Sequence, residues 1–404
     1  MNAAFIACEY NPFHNGHLHH IKMTKEHGAD AVICIMSGNF VQRGDIAICE
    51  KHQRAKAALM SGADLVIELP LKYAVSTASL FADGFIKTAH ATGLVGYISF
   101  GANNSIDELK NLKDAVNSSE TQKFIQSSNK DISYPVALSN YLSEHFGEEY
   151  SEMLKDANNT LAIEYLRARD EFFPEVSVFS VLRKGVAHDS VITTDRFASA
   201  SAIRDIIYRE DAEYTEKALC SCEKFLPTEA FSCYRDAYSS GQFPTSKETF
   251  EKVCISRLLS LDNEYFLNIN NVTAGIENRI TDAIKNSSSL NEICNIIKTK
   301  RYTLSRIRQI LLSAVLGITR DDINNDISYI RILGFNEKGR EVLHEMKRTA
   351  KLPVIMNLSQ IDSNNKKAVR DAYLDMTAAK IYNLCLPCPL SGNAEYDIPP
   401  IYIR

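Results

Sequence analysis

The residues best suited to chemistry stand near the start of the chain, in CEYNPFHNGHLHH. His14 and His17 lie three apart, flank Asn15-Gly16, and follow closely on the apolar run AAFIA at 3–7. On a helix starting here, both imidazoles share one face of the first turn. A helix start presents unpaired N–H groups and about half a positive charge, which suits phosphate. Gly16 has no Cβ, so a phosphate can approach the backbone closely. Each imidazole can donate a hydrogen bond to a phosphoryl oxygen, more strongly when protonated. The matching chemistry is in-line attack at an α-phosphate, stabilised by preorganised donors without a covalent protein intermediate. Taken alone, the four residues fit an ordinary helix start equally well.

A second signal is FASASAIRD at 197–205. Ser199 and Ser201 can cap a helix there, with Arg204 about one turn inside. That reads either as a second anion site or as a common helix start with a surface arginine. Glu9 and Asp45 are open to two roles, outer-sphere help to a metal or salt-bridging and capping. A third signal is KTKRYTLSRIRQ at 298–309, with Lys298, Lys300, Arg301, Arg306 and Arg308 and no acid. Read as a helix, Ile307, Ile310, Leu311 and Ala314 form its buried stripe. Lys298, Arg301 and Arg308 fall on another face, where they can meet RNA phosphates, and Tyr302 can stack on a base. Solvated helix faces are the alternative for this cluster. The same holds for the basic runs Lys338 to Lys351 and Lys366 to Arg370.

Elements must position these residues. Strands are expected at 3–7, 31–36, 64–69, 97–100 (closed by Gly101) and 176–182, with helices over 16–27, 51–60, 79–91, 159–169 and 199–208. Short apolar strands alternating with amphipathic helices make a Rossmann-like, doubly wound parallel α/β sheet. Such a sheet binds ligands beyond the carboxyl ends of its strands, where CEYNPFHNGH, SGNFVQRGD and FGANN all fall. From about residue 213 the segments lengthen and become helical. The division expected is a catalytic domain at 1–212 and a mostly helical domain at 213–404, with a stray strand at 353–356.

Composition narrows the classes. The chain has 404 residues, 45% hydrophobic and 24% charged, which is enough for two buried cores. Its net charge of -5 gives no global attraction to polyanions, so an RNA surface must be local. The N-terminus lacks a basic stretch before an apolar one, and no apolar run reaches about 18 residues, so a cytoplasmic protein is expected. The ten cysteines are scattered and read as reduced thiols. Cys220/Cys222 and Cys385/Cys388 are too far apart for a convincing zinc pattern, so no bound metal is expected.

The HNGH loop followed by S-A-S-A-I-R resembles the nucleotidylyltransferase superfamily. More narrowly, EYNPFHNGHLHH, MSGNFVQRGD, GADLVIELP, NNTLAIEYL, RKGVAHD, ASASAIR, KTKRYTLSRIRQILL and RILGFNEKGRE, in that order, are similar to the tRNA(Met) cytidine acetate ligase family. The resemblance spans nearly the whole chain. It implies a ligase that joins acetate and ATP into acetyl-adenylate and passes the acetyl group to the wobble cytidine of elongator tRNA(Met). It also implies an ATP loop of Ala7, Cys8, Glu9, Tyr10, Asn11, Pro12, Phe13, His14, Asn15, Gly16, His17, Leu18, His19 and His20. Further ATP contacts would come from Gly101, Asn159 (or Asn158), Arg183 and Ser199. His14, His17 and Arg204 would be catalytic, and Mg²⁺ would accompany ATP. The family places Ser-Glu after FG, whereas this chain has FGANN, so an acidic contact is missing at Asn103. A small-molecule adenylyltransferase is the competing reading, but it leaves the basic helical half without a task. A non-catalytic nucleotide- or RNA-binding protein is a third.

Overall fold

The computed structural model describes residues 1–127, 134–182, 196–209, 215–273, 275–299 and 302–404. Arg183, Lys300 and Arg301 lie outside the described residues. The strands are β1 (Ala3–Cys8), β2 (Ala31–Ser37), β3 (Phe40–Val41), β4 (Asp45–Ile46), β5 (Leu65–Leu69), β6 (Gly96–Ala102), β7 (Ser177–Leu182), β8 (Ile330–Asn336), β9 (Val354–Ile355) and β10 (Ile401–Ile403). One sheet runs in the order β10-β8-β5-β2-β1-β6-β7, with β9 beside β8. From β5 to β7 every pairing is parallel. β1 therefore lies at the centre, and the loop after it opens at the carboxyl edge where the strand order reverses.

Period-two alternation explains why both faces are covered. Ala3, Phe5, Ala31, Ile33, Ile35, Leu65 and Ile67 point into one core, against helices Ala78–Ala91, Ala157–Phe172 and Glu337–Thr349. Ile6, Cys8, Val32, Cys34, Met36 and Val66 point into the other, against helices Asn15–Glu26, Lys51–Met60, Ala200–Arg209 and Thr228–Ser239. The doubly wound reading holds on both sides.

Two expectations need correction. The sheet is mixed, because β8 enters antiparallel beside β5. The division at residue 212 also does not follow the sheet, since β8 and β10 extend it from the second half. The run YIRILGF at 329–335 is short, apolar and rich in β-branched residues, the signature of a buried strand, and it belongs with the strands rather than the helices. The residues at 353–356 do supply a strand, β9, parallel to β8.

The rest of the second half is helical and closes its own core, which also takes in Phe40, Val41, Ile46, Leu71 and Val75 from the first half. A buried ion cluster adds a second tie. Lys51 lies 2.7 Å from Glu68 and also meets Glu395, while Arg331 reaches Glu395 at 2.5 Å and Glu68 at 3.2 Å. Burial alone would raise the Glu395 carboxyl, but Lys51 and Arg331 hold it down at about 2. Burial and the nearby Glu68 raise the Asp375 carboxyl to about 7, despite a 2.7 Å hydrogen bond from the Tyr329 hydroxyl.

Removing one member of such a cluster strands the others. Glu395→Ala should cost about 3–5 kcal/mol of stability, read as a lower midpoint in denaturant or thermal unfolding. Asp375 has its folded-state pKa raised, so its contribution to stability falls as pH rises from about 4 to about 7. Asp375→Asn removes that slope. Its stability relative to wild type should improve steadily across that window, and a constant difference would contradict the assignment.

Candidate active site

The HNGH motif is a helix start. His14 is the N-cap of helix Asn15–Glu26, with extended backbone, and its Nδ1 accepts the Gly16 N–H at 3.0 Å. In return, His17 Nδ1 accepts the His14 N–H at 3.2 Å. This is a capping box built from two imidazoles. The rings stack with centroids 3.7 Å apart, and Tyr10 and Phe13 wall His17 in at 4.8 and 5.6 Å. An Nδ1 that accepts a backbone N–H carries no proton, so each neutral ring bears its proton on Nε2. The chemistry expected of the motif therefore rests on Nε2–H donors rather than on imidazolium.

Gly16 gains a reason that the sequence alone does not suggest. A Cβ there would stand 2.9 Å from His14 Cε1 and 3.1 Å from Nδ1. Glycine is what allows the His14 ring to fold over its own helix start.

The loop before the helix is held from several directions. Tyr10 takes a left-handed backbone, φ +46°, uncommon for a bulky residue. Its hydroxyl lies 3.2 Å from the Cys34 thiol. The Phe13 N–H donates to the Tyr234 hydroxyl at 2.7 Å, and Asn15 Nδ2 donates to the carbonyls of Arg196 and Lys224 at 2.9 and 3.0 Å. Beneath them sits Arg54, 0% exposed. Its guanidinium donates to the carbonyls of Glu9 (2.5 Å), Ser37 (3.2 Å), Cys49 (2.8 Å) and Gly38.

The structure brings the second motif to the first. Ser199 Oγ accepts the Ala202 N–H at 3.1 Å and caps helix Ala200–Arg209, with Ser201 Oγ 2.9 Å away. Arg204 reaches back across 193 positions and donates to the Asn11 carbonyl at 2.6 Å. The Arg204 guanidinium therefore stands against the loop that leads into His14, His17 and the Asn15 helix start.

Gly101 lies within β6, one residue before its end. Asn159 is buried beside the residues that follow, accepting the Asn103 N–H at 3.3 Å and donating to Asn104 Oδ1 at 2.8 Å. Asp156 stands beside Asn103, accepting from its Nδ2 at 2.6 Å, and it caps helix Ala157–Phe172 through the N–H groups of Asn158 and Asn159. A carboxylate thus occupies the neighbourhood where FGANN lacks one. His20 Nε2 and Ser99 Oγ lie 2.9 Å apart. Asp45 is tied to Lys247 and accepts the Ile46 N–H at 2.8 Å, while Glu9 Oε1 accepts the Gln42 N–H at 2.8 Å. Both acids thus serve as bridging and capping groups here. Among the described residues, Glu50, His52 and Glu395 are the one group of three side chains close enough to share a metal ion. They are buried and committed: Glu50 to His52 at 2.9 Å, Glu395 to Lys51 and Arg331.

The proposed RNA cluster divides. Tyr302 is 4% exposed, packed in the helical core with its hydroxyl 2.7 Å from Thr273 Oγ1, so it offers no stacking face. Arg306 lies over that ring at 4.8 Å, half-buried. Helix Leu304–Leu316 starts later than the charge run suggests, so Lys298 caps the preceding helix, Leu290–Ile297, instead of sharing a face with Arg308. The stripe of Ile307, Ile310, Leu311 and Ala314 is buried as expected. Lys298 and Arg308 are exposed. The other basic runs are partly neutralised, Lys338 by Glu341, Arg340 by Glu337 and Arg370 by Asp322.

Comparison with known proteins is consistent across three kinds of match. Residues 1–396 match the family described as HIGH Nucleotidyl Transferase. The chain is 34% identical over 417 residues to the tRNA(Met) cytidine acetate ligase of Clostridium novyi (strain NT), covering 100% of each. It is 37% identical over 402 residues to that of Thermoanaerobacter sp. (strain X514), covering 94% of each. Crystal structures of Thermotoga maritima TmcAL superpose over 100% of both chains at 30% identity, with TM-scores of 0.90 without ligand and 0.89 with alpha-thio ATP bound.

The double role of His14 can be separated by mutation. His14→Ala loses the cap and should cost about 0.5–2 kcal/mol. His14→Asn restores a good capping residue and should recover most of that loss. Equal unfolding midpoints for the two variants would mean that the imidazole does not cap the helix.

Proposed function

The chain belongs to the HIGH nucleotidyl transferase family and, within it, to the tRNA(Met) cytidine acetate ligases, and from that premise we propose how its residues act. The enzyme activates acetate with ATP and acetylates N4 of the wobble cytidine of elongator tRNA(Met). An acetate oxygen attacks the α-phosphorus, the bond to the β-phosphate bridging oxygen breaks, and acetyl-adenylate and pyrophosphate form. The cytidine amine then attacks the acetyl carbonyl, AMP leaves with the electron pair of the broken C–O bond, and N4 gives up a proton.

The observation that carries this reading is the Arg204 contact with the Asn11 carbonyl, which brings ASASAIR onto the HNGH loop. The helix start and the two Nε2–H donors stabilise charge gathering on the α-phosphate, and Arg204 supplies the formal positive charge. The loop Ala7 to His20, with Gly101, Asn159, Arg183 and Ser199, binds the nucleotide. Magnesium accompanying ATP would be held chiefly by the phosphates and water, and would supply charge screening for the polyphosphate. The second half, carrying Lys298, Arg306 and Arg308, meets tRNA. The enzyme works in the cytoplasm, where tRNA and ATP are found.

The test is incubation with ATP, radiolabelled acetate and unmodified tRNA, followed by nucleoside analysis for N4-acetylcytidine. Pyrophosphate release that ignores acetate would favour a small-molecule adenylyltransferase instead. His14→Asn and His17→Asn should each lower acetate-dependent pyrophosphate release by about 100- to 1000-fold. Arg204→Ala and Arg183→Ala should also impair this first step. A variant that makes acetyl-adenylate normally and fails only on tRNA would move its residue to the other substrate.

A further inference from the structure

Helix Lys366–Leu384 sorts its charges by side. Its two acids are turned inward. Asp371 accepts from Lys72 Nζ at 3.1 Å and from the Ser328 hydroxyl at 2.6 Å. Asp375 is buried, 2.7 Å from the Tyr329 hydroxyl. Its lysines, Lys366, Lys367 and Lys380, are all exposed. Lysines in a first helical turn oppose the helix dipole, so helix stability does not account for positions 366 and 367. Along the outer face, Lys366, Val369, Tyr373, Lys380 and Leu384 follow one another at helical spacing and form one exposed stripe. Tyr373 stands in the middle of it. It is 59% exposed, the highest value for a tyrosine or phenylalanine among the described residues.

The ring is braced from one side. The Arg370 guanidinium lies over it, 5.6 Å from the centroid. Arg370 is itself fixed, donating to Asp322 Oδ1 at 2.8 Å, to Asp322 Oδ2 at 2.7 Å and to the Gly317 carbonyl at 2.7 Å. Its charge is spent on Asp322, so its remaining service is to hold the aromatic plane. Lys366 and Lys380 each stand seven residues from Tyr373, about 10 Å along the axis in either direction, and each has a flexible four-carbon stem. Positive charge on both sides of an exposed, braced ring suits a polyanion with unpaired bases. Building on the function proposed above, we propose that this helix face holds an unpaired nucleotide of the tRNA, its base stacked on Tyr373 and its neighbouring phosphates met by Lys366 and Lys380. None of these residues belongs to the ATP loop or to ASASAIR. The contact therefore adds tRNA affinity to an acidic protein without serving the first chemical step.

The chain contains no tryptophan, so Tyr373→Trp supplies a single indole reporter at this position. Saturating unmodified tRNA should quench its emission, as a stacked base does. Equilibrium binding of the same tRNA is measured over a salt series for wild type, Tyr373→Ala, Tyr373→Phe and the double variant Lys366→Ala with Lys380→Ala. Tyr373→Ala should bind about 5- to 100-fold more weakly with an unchanged slope of log affinity against log salt, because stacking releases no counterions. Tyr373→Phe should bind as wild type does. The double lysine variant should flatten the slope by about 0.7 for each lost contact. All four variants should keep the wild-type unfolding midpoint and tRNA-free, acetate-dependent pyrophosphate release. Unquenched emission, or wild-type affinity in Tyr373→Ala while wild type acetylates tRNA, overturns the platform and leaves the function standing. A changed oligomeric state in Tyr373→Ala with unchanged tRNA binding gives the face to a second copy of the chain and also overturns it. Wild type that acetylates no tRNA overturns both.

Discussion

The site depends on a buried guanidinium. Arg54 carries a full charge with no solvent, a state that costs several kcal/mol unless every donor is met. Carbonyls from Glu9, Ser37, Gly38 and Cys49 meet it. Glu9 follows β1, Ser37 ends β2 and Gly38 follows it, so the guanidinium ties together the carboxyl ends of two adjacent parallel strands. Carbonyls there have run out of ladder partners, and a cation satisfies several at once. The path of the HNGH loop follows from that. Glu9 is fixed by its carbonyl from below and by the Gln42 N–H at its side chain. Tyr10 then turns through left-handed backbone and delivers His14 to the helix start.

The second half of the chain braces this arrangement as well as adding a surface. β8 and β10 extend the sheet, Tyr234 receives the Phe13 N–H, and Tyr382 and Thr245 both donate to the Ala47 carbonyl. The ion cluster of Lys51, Glu68, Arg331 and Glu395 joins the start of helix Lys51–Met60 to β5, β8 and the last helical turn, Ala394–Asp397. Lys51 is three residues from Arg54, one turn along the same helix. The element that supports the HNGH loop is therefore itself held by charge from the far end of the chain. Such a cluster is weak evidence for net stability, but it specifies strongly which segments must meet.

Much of this was legible in the sequence, and the limits have physical causes. β1, β2, β5 and β6 announce themselves because buried parallel strands are short apolar runs, and β7, at the sheet edge, shows itself by its β-branched and aromatic residues. HNGH and ASASAIR stand out because helix starts near phosphate use few residue types. β8 was hidden in RILGFNEKGRE, since a strand arriving from far along the chain has no neighbouring βαβ rhythm to mark it. Arg54 reads as one more surface charge in KHQRAKAALM, because nothing local shows that its partners are carbonyls of other segments. Tyr302 misled for the opposite reason. Its basic neighbours suggest a stacking face, but burial is decided by helix Leu304–Leu316 starting after it and by the hydrogen bond between its hydroxyl and that of Thr273. Asp156 escaped because it meets Asn103 from 53 positions away.

The two imidazoles also explain why this helix does not begin with the usual serine or aspartate. A hydroxyl or carboxylate caps equally well, but its acceptor is then used on the backbone, and an aspartate would repel phosphate. An imidazole has two nitrogens on opposite edges. In both His14 and His17 one edge, Nδ1, serves the capping box. That fixes the ring, fixes the tautomer and sends the donor edge away from the helix. Protonating either ring at Nδ1 would turn an acceptor into a donor facing an N–H, so the capping box holds both rings neutral. In the proposed mechanism formal charge then comes from elsewhere, and among the described residues Arg204, anchored on the Asn11 carbonyl, is placed to carry it. Oriented neutral donors and a separate fixed cation need little reorganisation when charge shifts onto the phosphate, which is the condition for strong electrostatic stabilisation of an in-line transfer.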